Sequence, residues 1–179
     1  MLMGQWNSKS EVKKGNLGEK IIDQYLLDCD FIPYHPFSDK AHPFDRLVAS
    51  KDKKRIFVLE VKTKKSRKYY PDTGFNYSNY QDYDNIKQKY GLDIYITFVD
   101  DLEQEVYGNY LKELEKDREI KLRGKTIHYP KIENKNGEKI KYYPLEAMEN
   151  IKKLNKEEIE QLNKLSNENY KYSSLTGDN

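Results

Sequence analysis

The chain has 179 residues, 36% hydrophobic and 35% charged, which supplies one core of moderate size and excludes a second large one. The formal net charge of +2 does not by itself call for a polyanionic partner, and no stretch approaches the ~20 apolar residues of a membrane span. A single cysteine, Cys29, excludes an internal disulfide and fits a cytoplasmic protein.

Residues 1–13 read as an irregular N-terminus, and Met1 to Ser10 has no apolar run of the kind a signal peptide needs. Leu17, Ile21, Ile22, Tyr25, Leu26 and Cys29 follow helical spacing, which predicts a helix over 14–29 with Cys29 as a small core residue. A short edge strand is expected at 31–35, because Pro33 and Pro36 cannot donate to a ladder on both sides. Positions 38–42 read as a loop. Two strands, 44–49 and 55–63, are joined by the turn Ser50-Lys51-Asp52-Lys53-Lys54, and the second carries the β-favouring run Ile56, Phe57, Val58, Leu59, Val61. Pro71 and Gly74 mark 64–78 as a long polar loop. A helix over 78–90 should stop at Gly91, followed by a buried strand over 92–99.

The second half is less regular. Val106 to Lys116 carries Tyr107, Tyr110, Leu111 and Leu114, a helical face. Strands over 126–132 and 139–143 flank Asn134-Lys135-Asn136-Gly137, a hairpin signal. Pro144 begins a short helix holding Leu145, Met148 and Ile151, and Asn155 with Glu158 forms a capping-box start for a last helix. These elements divide the chain into a core over 14–99, an extension over 100–165 packed on it, and a polar tail over 166–179 expected to be disordered. The fold class is mixed α/β, a central sheet of about four strands flanked by helices, with a C-terminal hairpin and helices.

Charge is unevenly spread. Between Lys51 and Tyr70 nine cationic residues face two acidic ones, a net +7, so the remainder of the chain carries −5. Such asymmetry is the footprint expected of phosphate contacts. Within the same window, strand alternation places Ile56, Val58, Glu60 and Lys62 on one face. An acid two residues before a lysine also occurs at Glu11/Lys13, Asp52/Lys54, Glu119/Lys121 and Glu133/Lys135. Only Glu60/Lys62 lies in a strongly apolar strand with an acid on the neighbouring strand: in a hairpin centred near Asp52, Asp45 falls opposite residue 59 or 60. Two carboxylates meeting at one point suit Mg²⁺, which takes oxygen ligands and keeps waters, with Mn²⁺ able to substitute. A metal there would polarise a phosphoryl oxygen, and Lys62 would orient the attacking water.

The combination Gly15-x-x-x-Glu19, Pro43-Phe44-Asp45 and Glu60-Val61-Lys62 resembles the PD-(D/E)xK nuclease superfamily with its restriction-endonuclease-like fold, nearest to the archaeal Holliday-junction-resolvase-like branch. The likeness covers about residues 14–99. It implies that Asp45, Glu60 and the Val61 carbonyl bind metal, that Lys62 serves the water, and that Glu19 completes the acidic cluster or holds a second metal through water. A helix following this core often supports the site in that family, which directs attention to 78–90 and its polar Gln81 and Gln88. The proline displaced one position from the aspartate departs from the family pattern, and residues after Asp100 have no counterpart in it. The resemblance also implies a homodimer acting on DNA.

The reading is therefore a Mg²⁺-dependent deoxyribonuclease, with Lys64, Lys65, Arg67, Lys68, Tyr69 and Tyr70 gripping phosphates and stacking on bases. The rival is a non-catalytic nucleic-acid-binding or protein-interaction module on the same scaffold. His35, His42 and His128 lack metal-ligand spacing, and no glycine-rich phosphate loop is present.

Overall fold

The apolar run after the lysine-rich turn forms a central strand. In the computed structural model, which describes residues 10–36 and 42–175 (side chains from Glu11 to Ser166 of these), Phe57 to Val61 are all buried. The elements in chain order are α1 (Ser10–Asp28), β1 (Phe31–Tyr34), β2 (Arg46–Ser50), β3 (Ile56–Thr63), β4 (Asp72–Asn76), α2 (Tyr77–Tyr90), β5 (Asp93–Asp100), β6 (Glu105–Tyr110), α3 (Leu111–Leu114), β7 (Arg118–Leu122), β8 (Lys125–Tyr129), β9 (Lys131–Lys135), β10 (Glu138–Pro144), a 3-10 turn (Leu145–Ala147), β11 (Glu149–Lys153) and α4 (Lys156–Leu175). A six-stranded mixed sheet has the order β1-β2-β3-β5-β6-β11; β3 and β5 are parallel and the other pairs antiparallel. Parallel neighbours need a long connection, and β4 with α2 supplies it. A second sheet, β4-β10-β9, and the separate hairpin β7-β8 lie outside the main one.

Both faces of the main sheet are covered, which is why β3 reads as a continuous apolar run. On one face Ile21, Ile22 and Leu26 of α1 and Leu162 of α4 pack with Phe57, Leu59 and Val61. On the other, Tyr83 and Ile86 of α2 and Phe75 and Tyr143 of the second sheet pack with Val58, Ile96 and Phe98. Helix α1 approaches β3 so closely that a Cβ on Gly18 would lie 1.9 Å from Thr63 Oγ1. The architecture is the mixed α/β class expected, a mixed sheet flanked by helices. Strands β1, β2, β3 and β5 are the four anticipated; β6 and β11 extend the sheet.

Several expectations need correction. Residues 72–76 are a buried strand, not loop: β4 pairs with β10, and Gly74 is there because a Cβ would lie 2.2 Å from the Lys141 carbonyl oxygen. Its glycine signals close backbone approach rather than a turn. Residues 105–110 are a strand with only the one-turn α3 after it, since β5 and β11 both offer ladders to that segment. Residues 149–153 are a strand as well, and a register shift between Asn150 and Lys152 breaks the alternation that would have revealed it. Cys29 is exposed, just past the end of α1. The last helix runs on to Leu175 instead of ending near 165, and α1 begins at Ser10 within the segment read as irregular. Positions 1–9, 37–41 and 176–179, including most of the expected 38–42 loop and the end of the tail, lie outside the described residues.

The local signals that held have visible causes. Asn136-Gly137 turns between β9 and β10 with φ of 51° and 83°, the left-handed pair a two-residue hairpin needs. Gly91 caps α2 by donating its N–H to the Lys87 carbonyl. Asn155 and Glu158 form the reciprocal box: each side chain accepts the other's backbone N–H, at 2.8 and 3.0 Å. The strand β1 is at the edge, as Pro33 requires.

Candidate active site

The register of β2 against β3 pairs Arg46 with Leu59, which sets Asp45 opposite Glu60 by continuation. Glu60 is only 5% exposed, on the face of β3 that looks toward α2. One Asp45 carboxylate oxygen (Oδ2) accepts the Val61 backbone N–H at 2.7 Å, which clips the start of β2 to the end of β3. Lys62 donates to Glu60 Oε1. The other oxygen of Glu60, Oε2, is buried and has no hydrogen-bond partner among the described residues. A buried carboxylate oxygen left unpaired is costly unless something else satisfies it.

The electrostatics are of two acids forced together. Burial first, and the Glu60 charge second, push the Asp45 carboxyl from 3.8 up to about 6, against the opposing effects of the Val61 amide, Lys62 and Arg46. Tyr83 of α2 lies 1% exposed beside this pair; burial, then the charges of Glu60 and Asp45, push its phenol up. The backbone is pinned from the other side by Thr97 of β5, whose hydroxyl donates to the Glu60 carbonyl at 3.0 Å.

Glu19 reaches this site differently. Arg46, 6% exposed, donates to Glu19 Oε2 at 2.9 Å, to Asp23 at 2.8 and 3.0 Å, and to the Asp45 carbonyl at 2.7 Å. This one guanidinium ties α1 to the start of β2. Glu19 is near enough to Asp45 that, after burial, the Asp45 charge is the next largest influence raising its carboxyl. Among the described residues no three His, Cys, Asp or Glu side chains form a ready metal-binding group. The pair Asp45/Glu60 nevertheless fits a hard cation: the donors are oxygens, one is buried and unpartnered, and Mg²⁺ is held by one or two carboxylates with the rest of its shell water.

The basic segment divides into inward and outward groups. Lys64 turns in to donate to the Gly74 carbonyl at 2.6 Å, and burial, then the Lys135 and Lys62 charges, hold its ammonium below the usual range. Arg67 grips both oxygens of Asp72 and reaches Glu133 at 2.7 Å, sandwiched between the Tyr70 and Tyr142 rings at 4.4 and 3.9 Å. Lys65, Lys68, Tyr69 and Tyr70 are exposed. Gln81 and Gln88 are also exposed, and Gln88 bonds only to Asp84 of its own helix at 2.6 Å. The helix contributes through Tyr83 instead. Sequence reasoning missed Tyr83 and Arg46; the former was legible as the middle of the spacing Tyr80, Tyr83, Ile86, the latter only as the charged neighbour of Asp45. His35 meets Asp23 at 3.3 Å and His128 meets Glu119 at 3.2 Å, both on the surface.

No protein-family model matches the sequence, and no curated protein matches it significantly. Among solved structures, the chain is similar to Hjc, a Holliday junction resolvase of Archaeoglobus fulgidus, with a TM-score of 0.44 and 13% identity over 57% of this chain and 81% of that one. No helix among the described residues is long and apolar enough to cross a membrane.

Proposed function

We propose that the chain is a divalent-metal-dependent nuclease that hydrolyses DNA phosphodiester bonds, with Asp45, Glu60 and Lys62 as its reactive set. The observation that carries the reading is the meeting of two carboxylates where β2 begins and β3 ends, half-buried Asp45 with raised proton affinity and buried Glu60 with one oxygen that has no hydrogen-bond partner among the described residues. A site meant only for stability would neutralise both. Asp45, Glu60 and the Val61 carbonyl would hold Mg²⁺, or Mn²⁺ in its place. When bound, the metal supplies Lewis acidity toward a phosphoryl oxygen.

The chain's own groups do the rest. Lys62, on the same face as Glu60 and partly open to solvent, orients the attacking water and faces the negative charge that develops at phosphorus. Tyr83 closes the floor of the site and keeps bulk water from the carboxylates. Arg46 holds Glu19 at the rim, where Glu19 acts on Asp45 through its charge. Exposed Lys65 and Lys68 sit a few residues beyond Lys62, placed to meet the phosphate backbone.

The test is a cleavage panel with Mg²⁺ or Mn²⁺, comparing linear duplex, single strand, flap and four-way junction. Wild type should cut at least one of these, and Lys62→Ala and Asp45→Ala should cut none. Wild type that cuts nothing, or a Lys62→Ala variant as active as wild type, overturns the reading. DNA affinity in EDTA together with no metal-dependent thermal shift would instead identify the non-catalytic binding module.

A further inference from the structure

A second basic and aromatic surface lies where the β7-β8 hairpin of the C-terminal extension meets Tyr69 and Tyr70 of the loop before β4, away from the reactive set. It brings Arg123 and Lys125 of that hairpin, not singled out from the sequence, to the two rings that were. The hairpin β7-β8 carries Arg118, Lys121, Arg123 and Lys125 against Glu119 alone, a net +3, and Glu119 is already engaged by His128. Its tip faces the loop before β4, and between them is a cleft of about 530 Å³. The walls include Tyr69, Tyr70, Arg123, Lys125, His128 and Lys131, and no carboxylate among the described residues lines it. Tyr69 is 60% exposed and Tyr70 40% exposed. Lys68 and Arg123, from opposite sides of the cleft, lie 5.5 and 5.8 Å from the Tyr69 ring centroid.

Two features set this surface apart from an ordinary solvated hairpin. Arg123 occupies the first position of a two-residue turn, before Gly124, with φ of 50°. Asn, Asp or Gly suits that conformation better than a long side chain does, so the arginine is carried there against backbone preference. The Tyr69 ring is also left largely exposed in a concave cleft, beside a Tyr70 ring that already carries Arg67 at 4.4 Å and Lys131 at 4.5 Å. Cations alone would suffice for a duplex backbone; open rings add nothing unless a base can reach them. The volume suits a single planar base with its phosphate.

We infer that the cleft between Tyr69-Tyr70 and the β7-β8 hairpin binds an unpaired nucleotide of a single-stranded nucleic-acid segment, the base stacking on Tyr69 and the flanking phosphates meeting Arg123 and Lys125. The inference rests on the nucleic-acid reading of the preceding section but not on catalysis. It gives the extension a task, selection of substrates that have unpaired bases, which the reactive set alone does not supply.

The test is fluorescence anisotropy with the full chain in EDTA, using a fluorescein-labelled oligo-dT and, separately, a labelled blunt duplex of equal length. Wild type should bind the single strand more tightly than the duplex. Tyr69→Ala should weaken single-strand binding about tenfold, within the range for loss of one base stack, and leave duplex binding unchanged, while Tyr69→Phe should bind as wild type. Lys125→Ala should lower the salt dependence for the single strand. Equal affinity for both ligands, absence of single-strand binding, or an unchanged Tyr69→Ala variant overturns the inference. Circular dichroism checks that Tyr69→Ala is folded. Asp45→Ala, assayed in parallel, separates the two readings: it should lose cleavage and bind single strand as wild type does, so cleavage that persists in Asp45→Ala with selective binding intact strikes only at the nuclease mechanism.

Discussion

Two buried ion clusters lie a short distance apart along the chain, and they are finished differently. Around Asp72, which is fully buried, every charge has a partner: Arg67 takes both its oxygens, Tyr129 donates to it at 2.6 Å, and Lys131 lies at 3.6 Å while also pairing with Glu133 at 2.9 Å. Around Glu60 the accounts do not close: two carboxylates face one lysine, one Glu60 oxygen has no hydrogen-bond partner among the described residues, and Asp45 is pushed toward protonation. Both clusters pin loops to sheets. Only the second retains the capacity to bind something more, and deficiency in a buried polar cluster is the mark of a site rather than of a staple.

The sharpest way to break this contrast is to remove one member from each cluster. Lys62→Ala should reduce cleavage by about 10²–10⁴-fold, the usual scale for loss of a positioned group that serves a nucleophile or a developing charge. Its melting temperature should fall as well, since buried Glu60 loses its lysine donor, but by less than for Asp72→Ala, because Asp45 beside it readily takes up a proton. Single-turnover cleavage and a thermal melt on the same preparation read both. A large loss of stability with cleavage preserved would reverse the assignment. Asp72→Ala should do the opposite. It removes the buried acid and leaves Arg67 and Lys131 to share the more exposed Glu133 alone, and breaking such a buried pair costs about 3–5 kcal/mol. Urea unfolding should show that loss, and DNA affinity of whatever remains folded should not rise.

The deficient cluster also predicts a pH signature of definite sign. The Asp45 carboxyl sits at about 6 in the folded chain against 3.8 when unperturbed, so the folded state holds its proton more tightly than the unfolded one. In EDTA its contribution to stability is therefore fully present below pH 3.8 and is lost as pH rises through 6. A cation competes with that proton, so the thermal shift caused by Mg²⁺ should be small at pH 5 and full at pH 8. Asp45→Asn relieves the repulsion toward Glu60 and should stabilise the metal-free chain at pH 8 by on the order of 1 kcal/mol, while abolishing the Mg²⁺ shift. Equal Mg²⁺ shifts at pH 5 and pH 8 would show that Asp45 is not a ligand.

The first half of the chain was far more legible than the second, for a physical reason. Residues 14–99 build α1, the edge strand, the β2-β3 hairpin and α2 from signals that are local: helical spacing in Leu17 to Leu26, prolines at 33 and 36, a turn centred near Asp52, a C-cap at Gly91. The Asp45-to-Glu60 alignment followed from counting through that turn. Three of the missed strands, 72–76, 105–110 and 149–153, owe their conformation to distant partners, β4 to β10, β6 to β5 and β11; a fourth, 118–122, pairs locally with β8 but turns at Arg123-Gly124, where arginine hides the signal. Nothing in Asp72-Thr73-Gly74-Phe75-Asn76 states that Lys141 will lie against it. The site divides the same way. Its acids and lysine were visible in strand alternation, whereas Tyr83 enters from a helix and Arg46 is committed to α1, contacts that only the assembled fold creates.

The smallest predicted effect tests how α1 is held against the site. Two glycines of this helix differ in what surrounds them. A Cβ at Gly15 would meet nothing within 4 Å, whereas one at Gly18 would meet Thr63 Oγ1 at 1.9 Å, at the end of the strand that carries Glu60 and Lys62. Replacing either by alanine gains helix propensity, about 1 kcal/mol. At Gly15 nothing opposes that gain, so Gly15→Ala should stabilise the chain by about 0.5–1 kcal/mol. At Gly18 the added methyl must displace Thr63 or the helix, and overpacking of this kind costs about 1–3 kcal/mol. Gly18→Ala should therefore come out destabilising by roughly 1 kcal/mol. The displacement also moves Glu19, the next residue, and with it the Arg46 contact that reaches Asp45, so cleavage should fall for Gly18→Ala and not for Gly15→Ala. If Gly18→Ala raises the melting temperature as much as Gly15→Ala does and cleaves equally well, the helix is not registered against the reactive strand end, and Arg46 must hold the rim without help from close packing beneath it.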